Sequence, residues 1–311
     1  MRSGRLLTMF LLLKLWSTLA VLHSFVNASP LEIVSTRRNQ DDTSTMDTAE
    51  IGAFKPYTYY AGAAYCNPST TLTWTCGTNC EANPNFHPVA SGGDGAAVQY
   101  WYVGYDADLH TIIVGHQGTD IAKLLPVVTD VVFLLSPLDA TLFPNISSGV
   151  LVHSGFKQAH ANTATLVLSA VTKAMSTYST NTVTVVGHSL GAAIALLDGV
   201  FLNVQLPSAS VSVKSYGMPR VGNPQFADYV DQHLSVSHVN NKKDFVPILP
   251  ERFLGFAHCS GEKHINDSSV WIDCPGQDNE SNQCVVGEVP TILLGNANDH
   301  DGPYDGVMIG C

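Results

Sequence analysis

Apolar and polar residues alternate through Val98, Tyr100 and Tyr102, and an apolar run covers residues 111–114 beyond the polar Asp106-Ala107-Asp108. Short strand-like runs around a polar connector predict a β-hairpin that opens a central sheet. From Phe156 the period changes: Ala159, Thr163, Leu166, Val167, Ala170, Val171, Ala174 and Tyr178 recur at helical spacing and end in a Ser/Thr/Asn-rich turn, which predicts one amphipathic helix. Residues 183–186 form a short β-branched run, as a strand buried on both faces requires. That run passes through Gly187-His188-Ser189-Leu190-Gly191 into a second apolar helix, and further strands are predicted over residues 211–216 and 236–239. Helices alternating with strands imply an α/β fold, with a mostly parallel sheet covered by helices on both faces. No repeat or low-complexity tract interrupts the pattern, so residues 53–311 are expected to form one globular unit.

The start of the chain departs from this pattern. Arg2 and Arg5 precede an apolar run over residues 6–22, and Val26-Asn27-Ala28 offers small residues for cleavage, so residues 1–28 read as a secretion signal. Lys14 interrupts the run, which argues against an integral membrane anchor. Residues 29–52 are polar and carry Arg37-Arg38, the pattern of a propeptide or a frayed terminal segment. Loss of the leader leaves 12 basic against 26 acidic residues, a formal charge of −14, and nucleic acid is excluded as a natural partner.

Hydrophobic residues make up 45% of the chain and charged residues 13%, ample for a packed core. Sequons at Asn145, Asn266 and Asn279 mark expected surface positions for glycosylation. All seven cysteines lie beyond the leader; an exported chain favours disulfides over zinc at Cys76 and Cys80, and the odd count leaves one cysteine without an intrachain partner.

The motif around Ser189 carries the chemistry. Gly-x-Ser-x-Gly alone arises by chance in roughly one chain in ten of this length, but here it joins a buried strand to a helix that begins with small residues, Ala192, Ala193 and Ala195. A sharp strand-to-helix turn that exposes a nucleophilic serine needs flanking positions with almost no side chain, which Gly187 and Gly191 supply. The N–H of Leu190, at the helix start, is placed to meet an oxyanion. A serine hydroxyl also needs a base and an acid that orients the base. His300, in the turn-rich Asn298-Asp299-His300-Asp301-Gly302, and His258 both qualify by spacing. For the acid, Asp244 follows the strand near residue 239; Asp228 and Asp231 fall in a predicted helix, and Asp273 lies beside Cys274.

From about Tyr57 onward the chain resembles the filamentous-fungal class 3 lipases. The landmarks are His116-Gln117-Gly118-Thr119-Asp120, Val152-His153-Ser154-Gly155-Phe156, the Ser189 motif, Tyr216-Gly217-Met218-Pro219-Arg220-Val221-Gly222-Asn223 and Asp244-Phe245-Val246-Pro247, in that order. The resemblance implies an α/β-hydrolase fold with Ser189 as nucleophile, Asp244 as orienting acid and His300 as base, with His258 at a non-catalytic position. It places an oxyanion donor at Thr119 beside Leu190, and makes the apolar stretch between Asp120 and Gly149 a lid over the active site. It also implies the disulfides Cys66 to Cys311, Cys76 to Cys80, and Cys274 to Cys284, with Cys259 free. The first would close nearly the whole domain, a constraint worth at most about 5 kcal/mol in the chain-entropy account.

These residues together imply a secreted, monomeric carboxylic ester hydrolase that needs no cofactor or metal. The apolar lid region points to triacylglycerol at an oil-water interface. An esterase for feruloyl or other plant cell-wall esters is the nearest rival, and a non-catalytic lipid-binding protein the remote one.

Overall fold

The fold is seen in a computed structural model that describes residues 43–119, 122, 123, 126 and 135–311. The expected leader and residues 120, 121, 124, 125 and 127–134 of the expected lid region lie outside the described residues. Eleven strands are described: β1 (Ser44–Thr45), β2 (Phe86–Gly92), β3 (Trp101–Asp106), β4 (Thr111–His116), β5 (Leu135–Pro137), β6 (Leu151–His153), β7 (Thr182–His188), β8 (Ser210–Tyr216), β9 (Ser235–Asn241), β10 (Glu262–Ile265) and β11 (Trp271–Cys274). Nine make one sheet in the order β1-β11-β10-β9-β8-β7-β4-β3-β2, while β5 and β6 pair separately.

The sheet is parallel only at its centre, from β4 through β7, β8 and β9 to β10. Both margins are antiparallel: β4-β3-β2 on one side and β10-β11-β1 on the other. Ser44 and Thr45 pair with β11, so the packed unit takes in part of the polar segment that precedes residue 53.

Alternation along the central strands divides the core. Ile112 and Val114 of β4, with Val183 and Val185 of β7, face a core built with the helices Ala164–Tyr178 and Leu190–Gln205. Ile113 and Val186 point the other way, onto Tyr60, Ala63 and Ala64 at the helix Lys55–Ala63. The Leu190–Gln205 helix comes so close to the sheet that a Cβ on Gly199 would lie 2.6 Å from Val213 Cγ2.

The helical period from Phe156 to Tyr178 resolves into two helices, Ser154–Ala161 and Ala164–Tyr178. At the break, Asn162 Oδ1 accepts from Gln158 Nε2 and Thr163 Oγ1 donates to the His160 carbonyl. Side chains of this kind compete with the backbone ladder, which an apolar period does not register.

Disulfides join Cys66 to Cys311, Cys76 to Cys80 and Cys274 to Cys284, and Cys259 is a buried free thiol. The sequons divide differently from expectation. Asn145 is exposed and Asn266 half-buried, but Asn279 is 0% exposed, with its Nδ2 donating to Pro275 O and its Oδ1 accepting from Ser281 N–H. That burial corrects the expectation of a surface position at Asn279.

His238 and His258 stack at 4.8 Å, each buried and each with Nε2 at a backbone carbonyl, of Cys259 and Pro247. Burial pushes His238 down to about 4 and takes His258 well below the usual imidazole value. The unfolded chain takes up these protons from about pH 6.5. The stability contributed by His238 is therefore complete above pH 6.5 and falls as pH drops toward 4, by roughly 3 kcal/mol in all. Urea unfolding between pH 7.5 and 4.5 is expected to show that loss, with a shallower slope for His238→Gln; an equal slope in the variant would remove His238 as its source.

Candidate active site

The turn after β7 is as tight as its glycines suggest. Ser189 adopts φ 60° and ψ −128°, a left-handed conformation costly for a residue with a side chain. A Cβ on Gly187 would lie 2.2 Å from Gly191 O, and one on Gly191 would lie 2.3 Å from His116 O. Neither position admits another residue without moving backbone. The turn is held from the neighbouring strand by Ser189 N–H donating to Tyr216 O at 3.0 Å. Leu190 is the first residue of the helix that follows, where a backbone N–H has no partner within the helix.

His300 and Asp244 come together from distant segments. His300 Nδ1 lies 2.8 Å from Asp244 Oδ2, and both residues are buried. Asp244 Oδ1 accepts from Val246 N–H at 2.9 Å. A carboxylate only accepts, so His300 carries its hydrogen on Nδ1 and presents a lone pair at Nε2. That nitrogen and Ser189 Oγ are both buried without a hydrogen-bond partner among the described residues. Gly217, at φ 53°, leaves room for the pair: a Cβ there would come within 2.9 Å of His300 Nδ1 and 3.1 Å of Asp244 Oδ2.

A second layer escaped the sequence reading. His188 Nε2 donates to the His300 carbonyl at 2.9 Å, which leaves Nδ1 to accept from the Tyr65 hydroxyl at 2.7 Å. Tyr304 donates to the same carbonyl at 2.8 Å. Burial, with His300 at a ring distance of 4.4 Å, keeps His188 well below the usual imidazole range and so neutral. The one available signal was the place of His188 within the motif and of Tyr65 beside Cys66.

Thr119 lies half-buried in the loop after β4. A Cβ on the preceding Gly118 would be 2.1 Å from the Tyr65 hydroxyl and 2.5 Å from His188 O, so this loop packs directly on the serine turn. Its base is fixed by Gln117, which exchanges backbone and side-chain hydrogen bonds with Tyr100.

The other candidates lie elsewhere in the fold. His258 binds Pro247 O and Asp278, Asp231 accepts from Ser260, Asp228 from Gln277, and Asp273 pairs with Lys263. Two clusters among the described residues bring possible metal ligands within 4.8 Å, His188 with His300 and Asp301, and Glu262 with Cys274 and Cys284. The His188 nitrogens are taken, and the two cysteines are joined to each other.

A buried serine, an imidazole with a free nitrogen and a carboxylate behind it can perform acyl transfer. Comparison with known proteins agrees with that chemistry. The family described as lipase (class 3) matches residues 113–254. A secreted mono- and diacylglycerol lipase of Malassezia globosa is 33% identical over 210 residues, 66% of this chain and 67% of that protein. Lipase II from Rhizopus niveus superposes with a TM-score of 0.73 at 29% identity, covering 86% of this chain and 98% of that one. A triacylglycerol lipase described as having its catalytic centre formed by a serine protease triad superposes at 0.72 with 25% identity, over 86% of this chain and 98% of that one. The chain belongs to the class 3 lipase family, and is a carboxylic ester hydrolase on an α/β-hydrolase fold.

Proposed function

We propose that the chain hydrolyses long-chain acylglycerols outside the cell, with Ser189 as nucleophile, His300 as base and Asp244 as the acid that orients it. The observation that carries this reading is the pair of buried atoms without a hydrogen-bond partner among the described residues, Ser189 Oγ and His300 Nε2, behind which Asp244 holds the imidazole. His300 Nε2 takes the serine proton as Oγ bonds to the ester carbonyl carbon, and the N–H groups of Thr119 and Leu190 receive the oxyanion. Collapse of the tetrahedral intermediate breaks the ester bond, and His300 returns its proton to the departing glycerol oxygen. Water then attacks the acyl-serine by the same route, releasing the fatty acid and restoring Ser189.

Export is supported by the leader-like start, by three disulfides and by the word secreted in the name of the Malassezia globosa relative. No described helix is long and apolar enough to cross a membrane. Every group of the proposed triad comes from one chain, which fits a working monomer. A lipid surface fits the large apolar side chains left in water in the segments after Asp244 and before His300: Phe253 is 83% exposed and Leu293 is 94% exposed.

Triacylglycerol is the proposed substrate, on the apolar lid segment; the name of the Malassezia relative favours partial glycerides as a second reading. Rates on trioleoylglycerol and dioleoylglycerol emulsions and on methyl ferulate separate these readings. Cleavage of the trioleoyl emulsion is expected. Turnover restricted to dioleoylglycerol would move the assignment to partial glycerides, and turnover restricted to ferulate would end the lipid reading.

A further inference from the structure

Asp198 stands in the middle of the Leu190–Gln205 helix, where every residue from Gly191 to Leu202 is buried, and it is itself 0% exposed. A carboxylate so placed is costly unless its charge is met. Two buried histidines meet it: His116 Nε2 at 2.8 Å and His160 Nε2 at 3.2 Å. Both must donate, since an ionised carboxylate only accepts. Burial alone would raise the Asp198 carboxyl, but the hydrogen bonds from His116 and His160 outweigh it and hold the group down to about 2. Around this charge the setting is apolar, with the His160 ring 5.4 Å from that of Phe143 and 5.3 Å from that of Phe201.

His116 is the last residue of β4, and Gln117-Gly118-Thr119 follows it directly. It touches the serine-bearing helix twice. Its carbonyl lies against Gly191, and its ring reaches Asp198, about two helical turns further along the same face. Pairing with Trp101 and Gly187 fixes His116 within the sheet, and the directional hydrogen bond to Asp198 adds a fixed point between that strand end and the helix. His160 ties the helix Ser154–Ala161 to the same point.

We infer that Asp198 is a positioning residue: through His116 it fixes residues 117–119 against the start of the Leu190–Gln205 helix, and so sets the spacing of the Thr119 and Leu190 N–H groups. The inference deepens the oxyanion reading above and rests on it. Asp198 touches no reacting atom.

The test compares a soluble short-chain ester with its thionoester, in the whole protein and in Asp198→Asn. Sulfur is larger than oxygen and a poorer hydrogen-bond acceptor, so the preference for the oxygen ester reports how well the two donors are placed. A misplacement near 1 Å costs on the order of 10²-fold in rate. For Asp198→Asn, kcat on the ester is expected to fall roughly 10²-fold with KM unchanged, and the ester-to-thionoester ratio to fall with it. A drop equal for both substrates, or no drop, would overturn the inference. Should Asp198→Asn fail to fold, His116→Gln retains the His160 contact, and an unmoved ratio in that variant would overturn it as well. Activity surviving in Ser189→Ala would instead remove the reading on which it rests.

Discussion

Replacing Ser189 with alanine is expected to lower kcat on a soluble ester by roughly 10⁶-fold while leaving the unfolding temperature near that of the parent. The contrast follows from the position of the side chain. Ser189 Oγ is buried and makes no hydrogen bond among the described residues, so its removal forfeits little in the folded state. The strained backbone at φ 60° is common to both residues. In the reaction the same oxygen forms the bond to the acyl carbon, and nothing else in the turn can replace it. Saturating kinetics alongside thermal unfolding checks both halves. Retention of more than a thousandth of the parental turnover would place the nucleophile elsewhere, and a large drop in unfolding temperature would mean that the hydroxyl has a structural partner.

The centre of the fold was legible because its strands are buried on both faces. Val183, Val185 and Val186 are wholly buried, so residues 183–186 of β7 are a β-branched run in which only Thr184 is polar, its hydroxyl within hydrogen-bond distance of those of Thr111 and Ser212. The margins obey weaker rules. β1 is two exposed polar residues, and β2 contains Pro88 at a break in register, so neither shows a period that a sequence reader can follow. The parallel centre was inferred from alternating elements; the antiparallel margins depend on pairings that composition does not carry.

At the site, local geometry was legible and long-range geometry was not. Gly187 and Gly191 are required by atoms within the turn and the adjoining strand end, so the motif is visible at short range. The choice between His300 and His258 turns on which loop reaches the serine, and spacing leaves it open where the family resemblance favours His300. In the fold, a bond from His188 to the His300 carbonyl helps hold the first at the turn, and a bond to the Pro247 carbonyl holds the second away. Tyr65 gave only its place beside Cys66 and Asp198 gave no signal, because a tyrosine near a cysteine and an aspartate in an apolar helix acquire partners only when the chain folds. Asn279 shows the converse. Its three-residue sequon says nothing of the burial that closes it.

Asp244→Asn is expected to cost roughly 10⁴-fold in kcat at neutral pH with KM unchanged, through the placement of one hydrogen on His300. The two oxygens of Asp244 are both committed, Oδ1 to Val246 N–H and Oδ2 to His300 Nδ1. An asparagine has one oxygen for these two donors. Turned toward His300, the oxygen would leave its NH₂ facing the buried Val246 N–H, two donors with no acceptor between them. Turned toward Val246, it satisfies the backbone and sets NH₂ against His300 Nδ1. That orientation is stable only if Nδ1 gives up its hydrogen and accepts, which moves the hydrogen to Nε2. The nitrogen that should take the proton from Ser189 then already holds one, although the ring has not moved and the substrate site is intact. A loss in kcat alone, with the unfolding temperature within a few degrees of the parent, is the expected result. Turnover within tenfold of the parent would show that the Asp244 carboxylate does not set the imidazole tautomer, and an equal fall in stability and activity would reduce Asp244 to a structural anchor of the β9 loop.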